Sequence, residues 1–174
     1  DAAADRLPRA GEGLCAAGAN CVLIGTNTMH LVADQVAARL RAPLINIIDE
    51  TSAALIAAGR KRPLLLATRY TMEHGFYTDR MRRPGLDPVV PDETDRATVH
   101  SVIFDELCAG KVLDSSRDKL LAIIEKARVA GADSVILGCT EICLILDPDA
   151  LQLPGFASPT LHARAAVAFA LSVQ

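Results

Sequence analysis

The 174-residue sequence has no tryptophan, and only 3% of its residues are aromatic. Such a composition argues against a surface on which nucleic-acid bases or sugar rings stack. The sequence also lacks a block of basic residues, since 18 Lys and Arg stand against 21 Asp and Glu and give a formal charge of −3. Because nucleic-acid binding depends on basic side chains that neutralise phosphates, we expect no nucleic-acid partner.

Long hydrophobic runs are missing as well. A charged residue or a proline interrupts every apolar stretch before it reaches the roughly 18 residues that a membrane-spanning helix needs. The first residues also do not show the pattern of a signal peptide. The sequence therefore predicts a soluble, cytoplasmic protein without a membrane partner.

Metal and cofactor motifs are absent too. The five cysteines contain no CxxC pair, and the four histidines lack the spacing of a zinc site, so we predict neither a disulfide framework nor a metal site. A GxGxxG fingerprint, a P-loop and a lysine context typical of pyridoxal phosphate enzymes are also missing. No organic cofactor is predicted.

What the sequence does have is an alternation of short apolar runs and amphipathic stretches, within a composition that is 51% hydrophobic. Strands that are apolar on both faces and alternate with helices are typical of α/β proteins with parallel sheets. Strands are predicted at 21–25, 44–48, 63–68 and 134–138, with weaker ones near 89–90 and 153–156. Helices are predicted at 30–41, 51–58, 72–83, 92–108, 116–130 and 160–172.

The most informative feature is an internal repeat. Residues 17–28 read AGANCVLIGTNT, and residues 130–141 read AGADSVILGCTE. Each copy predicts the end of a helix, a tight glycine turn, a buried strand, a second glycine and a polar cluster. Such a pattern is also common where a helix is followed by a strand in α/β proteins, but here chemically useful residues follow both strands.

Ligands of parallel α/β sheets bind at the carboxyl ends of the strands, where both polar clusters are predicted to lie. If two lobes face each other across a pseudo-twofold axis, Thr26 and Cys139 approach one bound molecule from opposite faces. That arrangement suits inversion at a carbon atom, with one group removing a proton and the other delivering one. We expect backbone N–H groups to favour the Cys139 thiolate, and Asn27, Thr28 and Thr140 to bind a substrate carboxylate.

Several segments resemble the cofactor-independent aspartate/glutamate racemase family. They are IGTNTMH at 24–30, GCTEI at 138–142, ATRYTM at 67–72, PDETDR at 91–96 and ELCAG at 106–110. The resemblance implies two similar α/β lobes with a site between them, and often a homodimer. It also implies two-base racemisation of acidic amino acids without pyridoxal phosphate.

The expected architecture is therefore a pair of pseudo-symmetric, doubly wound, flavodoxin-like lobes with parallel sheets. Residues 1–48 with 155–174 are predicted to form lobe one, and residues 49–154 to form lobe two. Residues 1–17 do not match the β–α unit with which the family begins, so we expect this first unit to be missing from lobe one.

One departure from the family concerns chemistry. The family usually has a cysteine where this sequence has Thr26, although a branch of broad-specificity amino-acid racemases resembles this sequence in having threonine there. An asymmetric enzyme is predicted, with Cys139 as a base and Thr26 relaying a proton through water. Two alternatives stay open: a decarboxylase or isomerase of the same superfamily that uses Cys139 alone, and an inactive amino-acid-binding fragment.

Five further polar residues near the predicted site have no assigned role. For His30 a structural role is favoured over one in orienting the Thr26 loop. Thr68 and Thr71 are compatible with binding a substrate carboxylate or with capping a helix, and His162 with contacting the site from the start of a helix. Glu141 is compatible with steadying the cysteine loop or with a salt bridge elsewhere.

Overall fold

The computed structural model describes residues 2–172, and it contains two parallel sheets. The first pairs β1 (Val22–Leu23) with β2 (Leu44–Ile45). The second has the strand order β3-β4-β5, with Leu64 of β3 also bridged to Val89. These strands are β3 (Pro63–Leu66), β4 (Ser134–Leu137) and β5 (Gly155–Ala157). The α/β class with parallel sheets is therefore confirmed.

Helices surround both sheets. The α-helices are α1 (Ala2–Ala16), α2 (Ala33–Ala37), α3 (Ile47–Ala57), α4 (Arg69–Glu73), α5 (Phe76–Arg82), α6 (Glu93–Ser101), α7 (Asp114–Val129) and α8 (Ser158–Ser172). Short 3-10 helices span Thr28–Val32, Leu107–Ala109, Ile142–Leu144 and Pro148–Ala150, and a π-helix spans Val102–Glu106. No helix between residues 2 and 172 is long and apolar enough to cross a membrane.

The main hydrophobic core surrounds the second sheet. Every residue of β3 and β4 is buried, as the continuous apolar runs predict for strands covered on both faces. Burial of these aliphatic side chains is the dominant stabilising contribution in such a core. Side chains from several helices complete it, among them Leu55, Val99, Leu120 and Ile124.

Several predicted elements have different bounds in the structure, among them the following three. The strand predicted at 44–48 ends at Ile45, because the side chain of Asn46 accepts a hydrogen bond from the Ile48 N–H (2.9 Å) and caps α3. The helix predicted at 72–83 is divided at Gly75, whose φ of +89° ends one helix and starts another. The helix predicted at 92–108 begins as α6 and continues as the π-helix and a 3-10 turn.

Helix α1 was not predicted. Pro8, Gly11 and Gly13 are poor formers of a helix interior, so local propensity gives little signal here. Packing compensates, because the helix contributes Leu7 to a second, smaller hydrophobic cluster around Ile24, Val32, Ala33 and Val36. Gly11 allows a close approach, since a Cβ there would lie 2.6 Å from the Leu40 Cδ2 atom.

The second sheet extends past the predicted boundary between lobes at 154 and 155. Strand β5 pairs with β4, with Phe156 opposite Ile136. Helix α8 follows β5 directly and packs against α3. The division of the chain into the two lobes stays a prediction.

Candidate active site

The two copies of the repeat meet at one cavity of about 380 Å³. It lies at the carboxyl ends of β1 and β4, where the polar cluster of each copy follows its strand. All five predicted site residues line it: Thr26, Asn27, Thr28, Cys139 and Thr140. The remaining lining residues are Gly25, Thr68, Ile103, Phe104, Cys108, Gly138 and Glu141.

Cys139 is the buried cysteine of this cavity, with 7% of its surface exposed. Its thiol donates a hydrogen bond to the Glu141 carboxylate, with 2.9 Å between Sγ and Oε2. Burial, and next the contact with Glu141, raise the pKa of Cys139 to about 12. The backbone N–H groups of Glu141 and Ile142 act in the opposite direction but are outweighed. The prediction that this position favours a thiolate is therefore wrong, and the group is a thiol.

Glu141, whose role was open, is the carboxylate partner of this thiol. Its Oε2 atom accepts hydrogen bonds from Cys139 and from the Thr140 hydroxyl, the latter at 2.6 Å. These two contacts, that with Cys139 first, lower the pKa of Glu141, so it is an anion at neutral pH. Since Glu141 is only two residues after Cys139, the signal was present in the GCTE segment.

Thr26 occupies the equivalent place in the first copy, but its side chain is exposed. Its carbonyl oxygen accepts a hydrogen bond from Nδ1–H of His30 (2.8 Å), and Nε2 of the same ring accepts one from the Ile47 N–H (3.1 Å). His30 is 4% exposed, and its burial lowers its pKa to about 4. This neutral ring anchors the Thr26 loop on α3 and does not line the cavity.

His162 is part of the same buried support. Its Nε2–H donates to the Ile45 carbonyl (2.7 Å), and its ring lies 5.7 Å from that of His30. Neither imidazole is among the residues that line the cavity. Both histidines therefore have structural contacts in this arrangement.

Asn27 and Thr28 connect the first copy of the repeat to the rest of the site. The Ser158 hydroxyl lies 3.1 Å from both Asn27 Oδ1 and the Leu137 carbonyl oxygen, which links the loop to the end of β4. The Thr28 hydroxyl lies 3.0 Å from that of Thr71 and 3.4 Å from that of Thr68. Of the two residues at the start of α4, Thr68 lines the cavity, whereas Thr71 is buried.

Three lining residues come from a segment to which no site role was assigned. Ile103, Phe104 and Cys108 belong to the π-helix and the 3-10 helix that follow α6. The only signal for this segment was the resemblance of residues 106–110 to the racemase family. We refer to these three residues as the apolar wall.

The fold and the site define an α/β protein in which two related strand ends share one small-molecule cavity. Residues 1–166 match the family described as Asp/Glu/Hydantoin racemase. The chain belongs to this family, as the resemblance implied.

Solved structures of relatives agree with this assignment. A candidate Asp/Glu racemase from Yersinia pestis is 40% identical, with a TM-score of 0.93 over 98% of this chain and 74% of that one. An aspartate racemase homologue from Pyrococcus horikoshii OT3 is 32% identical, with a TM-score of 0.89 over 96% of this chain and 74% of that one.

More distant structures share the fold alone. A variant of arylmalonate decarboxylase is 16% identical, with a TM-score of 0.61 over 96% of this chain and 74% of that one.

Among curated sequences, an uncharacterised protein from Pectobacterium carotovorum subsp. carotovorum is 34% identical over 119 residues, which are 66% of this chain and 75% of that protein.

Proposed function

We propose that this protein racemises free amino acids at the α-carbon without a cofactor, using Thr26 and Cys139 as the two proton-transfer groups. The observation that carries the proposal is the shared cavity, on whose wall the two copies of the repeat place these two residues. Its volume of about 380 Å³ is at the small end of the range for ligand sites, which suits a single amino acid. Aspartate and glutamate are the substrates that the family resemblance implies.

For one enantiomer Cys139 acts as a thiol: the water held by Thr26 takes the α-proton, and the Sγ–H delivers a proton to the opposite face of the α-carbanion and leaves a thiolate. For the other enantiomer this thiolate takes the α-proton and becomes the thiol again, and the protonated water at Thr26 returns its proton to the opposite face. The ammonium group of a bound amino acid is a cation, and its field lowers the pKa of a nearby thiol. Glu141, whose Oε2 atom lies 2.9 Å from Cys139 Sγ, is the group that attracts this ammonium.

Thr26 is the weaker of the two groups. A threonine hydroxyl is a far poorer base than a thiolate, so we propose that it relays protons through water from its exposed position. The equilibrium constant of racemisation is one, so kcat/KM is equal in both directions. The difference in strength between Thr26 and Cys139 therefore does not appear in these two kcat/KM values. It appears as exchange of the α-proton without inversion, for the enantiomer whose α-proton faces Cys139.

Proton NMR in heavy water, on L- and D-amino acids beginning with aspartate and glutamate, tests the proposal. Loss of the α-proton signal is expected for the unmodified protein, with inversion followed separately on a chiral column. Cys139→Ala is expected to reduce exchange about a thousandfold or more. Cys15→Ala, on α1, is the matched control and is expected to retain it. Exchange that survives Cys139→Ala would contradict the proposal.

A second candidate function uses Cys139 alone. Only one of the two equivalent positions carries a thiol, and that thiol is protonated, as a group that protonates an enolate must be. A decarboxylase of the same superfamily would act in this way on substituted malonates. Release of carbon dioxide from such malonates supports this alternative, whereas a racemase releases none. Thermal stabilisation by amino acids without any turnover supports an inactive binding protein.

A further inference from the structure

Asn27 stands where an asparagine side chain commonly caps its own helix, but it does not do so here. It directly precedes the 3-10 helix that begins at Thr28, and asparagine at such a position usually accepts a hydrogen bond from a backbone N–H of the helix. The Asn27 side chain makes no such capping bond. It is 5% exposed and lines the cavity, so its amide group is available for contacts with the rest of the site.

The Asn27 side-chain oxygen lies against Ser158, which is 131 residues later in the sequence. Ser158 directly follows β5, is the first residue of α8 and is fully buried. Its Oγ atom lies 3.1 Å from Asn27 Oδ1 and 3.1 Å from the carbonyl oxygen of Leu137, the last residue of β4. Since Asn27 belongs to the first copy of the repeat and Leu137 to the second, Ser158 contacts both copies.

The surroundings of the Ser158 hydroxyl hold two acceptors for a single proton. The hydroxyl therefore donates to only one of the two oxygens at a time. If its proton points at Leu137, Ser158 Oγ and Asn27 Oδ1 face each other at 3.1 Å without a proton between them. Such an arrangement is repulsive unless the amide turns over and donates from Nδ2. With Oδ1 toward Ser158, as in this structure, the hydroxyl donates to Asn27.

The direction of this hydrogen bond decides what Asn27 presents to a ligand. A side-chain amide is planar and carries its acceptor oxygen and its two N–H donors on different sides. When Oδ1 accepts from Ser158, the Nδ2 donors are left for a ligand in the cavity that Asn27 lines. A carboxylate only accepts hydrogen bonds, so it needs these donors.

We infer that Ser158 is a positioning residue for the proposed racemisation, whose hydroxyl fixes the Asn27 amide with its N–H donors toward the α-carboxylate of the substrate. Ser158 acts through Asn27 and does not itself line the cavity. The inference rests on the proposed function and assigns a further role in the same site. Negative charge develops on the carboxylate during proton abstraction and strengthens such hydrogen bonds, so the effect extends to catalysis.

A measurement without ligand tests whether Ser158 fixes Asn27. Three-bond NMR couplings from the Asn27 side-chain carbonyl carbon to its backbone nitrogen and carbonyl carbon report whether the side chain holds a single rotamer. A single rotamer is expected in the unmodified protein, and averaged couplings in Ser158→Ala. Ser52→Ala is the matched control, because it removes another buried hydroxyl, bonded to the Ile48 carbonyl at 2.7 Å, and should leave the couplings unchanged. Unchanged couplings in Ser158→Ala would overturn the inference even if the protein exchanges no α-proton.

Kinetics test whether Ser158 acts through Asn27. In the heavy-water assay with L-aspartate, Ser158→Ala is expected to reduce kcat/KM for exchange about tenfold, since a fixed donor to a charged group is lost. Ser158→Thr keeps the hydroxyl and should retain most of the activity. In the Asn27→Ala background, Ser158→Ala should change kcat/KM by less than about twofold, because the residue through which Ser158 acts is gone. A full tenfold loss in that background would indicate a general structural role and would overturn the inference.

Asn27→Asp tests the direction of the hydrogen bond while Ser158 stays in place. The carboxylate of this variant still accepts from Ser158, but its second oxygen puts a negative charge where the N–H donors were. That charge repels a bound α-carboxylate, so kcat/KM should fall at least about tenfold below that of Asn27→Ala. An equal or higher value would show that the N–H donors do not face the ligand, and would overturn the inference. Absence of exchange in the unmodified protein, by contrast, would refute the proposed function, and the couplings would decide on Ser158.

Discussion

The two copies of the repeat share a backbone path but differ in burial. Gly18 and Gly131 begin them with nearly equal φ angles, +96° and +93°, in the left-handed region that favours glycine. Within residues 2–172, however, β1 pairs with β2 alone, whereas β4 lies between β3 and β5. One backbone pattern thus places an exposed residue, Thr26, after the strand-end glycine of the first copy and a buried one, Cys139, after that of the second.

In the proposed racemisation, this difference divides the chemistry between the two copies. Burial and Glu141 control the protonation of Cys139, whereas the Thr26 side chain is exposed and shares its surroundings with water. The first copy has no second thiol–carboxylate pair. It has Thr26, whose carbonyl oxygen accepts a hydrogen bond from the buried His30 ring. We infer that the second copy sets the reactivity and the first completes the cavity.

Serine substitutions at Thr26 and at Cys139, made one at a time, are expected to show the difference between the two copies most clearly. Cys139→Ser replaces the thiol by a far weaker acid, so α-proton exchange should fall by about 10²-fold to 10⁴-fold. Thr26→Ser keeps the hydroxyl and should change exchange by less than about threefold, because the same proton-transfer group remains. The NMR assay in heavy water measures both, and equal losses in the two variants would contradict this division of roles.

A decrease in pH is expected to lower the free energy of unfolding, because it protonates His30, which supports the Thr26 loop of the first copy. The pKa of His30 is about 4 in the folded protein and 6.5 in the unfolded chain, so the unfolded chain binds more protons between these values. The free energy of unfolding should therefore fall by about 3 kcal/mol as the pH decreases from 6.5 to 4. Protonation of Nε2 also costs the hydrogen bond from Ile47.

Urea unfolding at several pH values measures this effect. His30→Gln cannot titrate, so its free energy of unfolding should be lower at pH 7 but nearly independent of pH in the same window. A His30→Gln variant with the full slope of the unmodified protein would assign the effect to other groups.

Gly25 and Gly138, which follow the two strands, allow a matched comparison of how tightly the two copies are packed. A Cβ at Gly138 would lie 2.9 Å from Leu65 Cδ1 and 3.2 Å from the Leu66 carbonyl oxygen, whereas one at Gly25 has no atom within 4 Å. Gly138→Ala should therefore lower the free energy of unfolding by about 1–3 kcal/mol. Gly25→Ala should change it by less than about 0.5 kcal/mol. Urea unfolding tests both, and equal effects would show that the second copy is not the more tightly packed.

Much of this fold was predictable because its strands coincide with apolar runs that stand between glycines in the sequence. The repeat placed Thr26 and Cys139 at equivalent strand ends, and the two residues do line one cavity. Lengths were less predictable: β1 has two residues where five were predicted, since strand pairing depends on neighbours that are distant in sequence.

The remaining errors have one cause, which is tertiary packing. Helix α1 contains Pro8 and is held by contacts that local propensity does not encode. The high pKa of Cys139 likewise depends on burial, which the short sequence around it does not reveal. The apolar wall is formed where α6 continues as a π-helix, a transition with no sequence signal that we recognised.

The smallest expected effect concerns Glu141, which corresponds to Thr28 in the first copy. Glu141→Gln removes the anion beside Cys139 but keeps a carbonyl acceptor, so the pKa of the thiol should fall while burial keeps it above its usual range. Alkylation of Cys139 by iodoacetamide at pH 8, followed by mass spectrometry, should become several-fold faster because more thiolate is present. Cys108 lines the same cavity and is exposed, so it serves as the internal reference and should react at an unchanged rate. Slower alkylation of Cys139 in the variant would mean that Glu141 promotes the thiolate, and the asymmetry between the two copies would then need another origin.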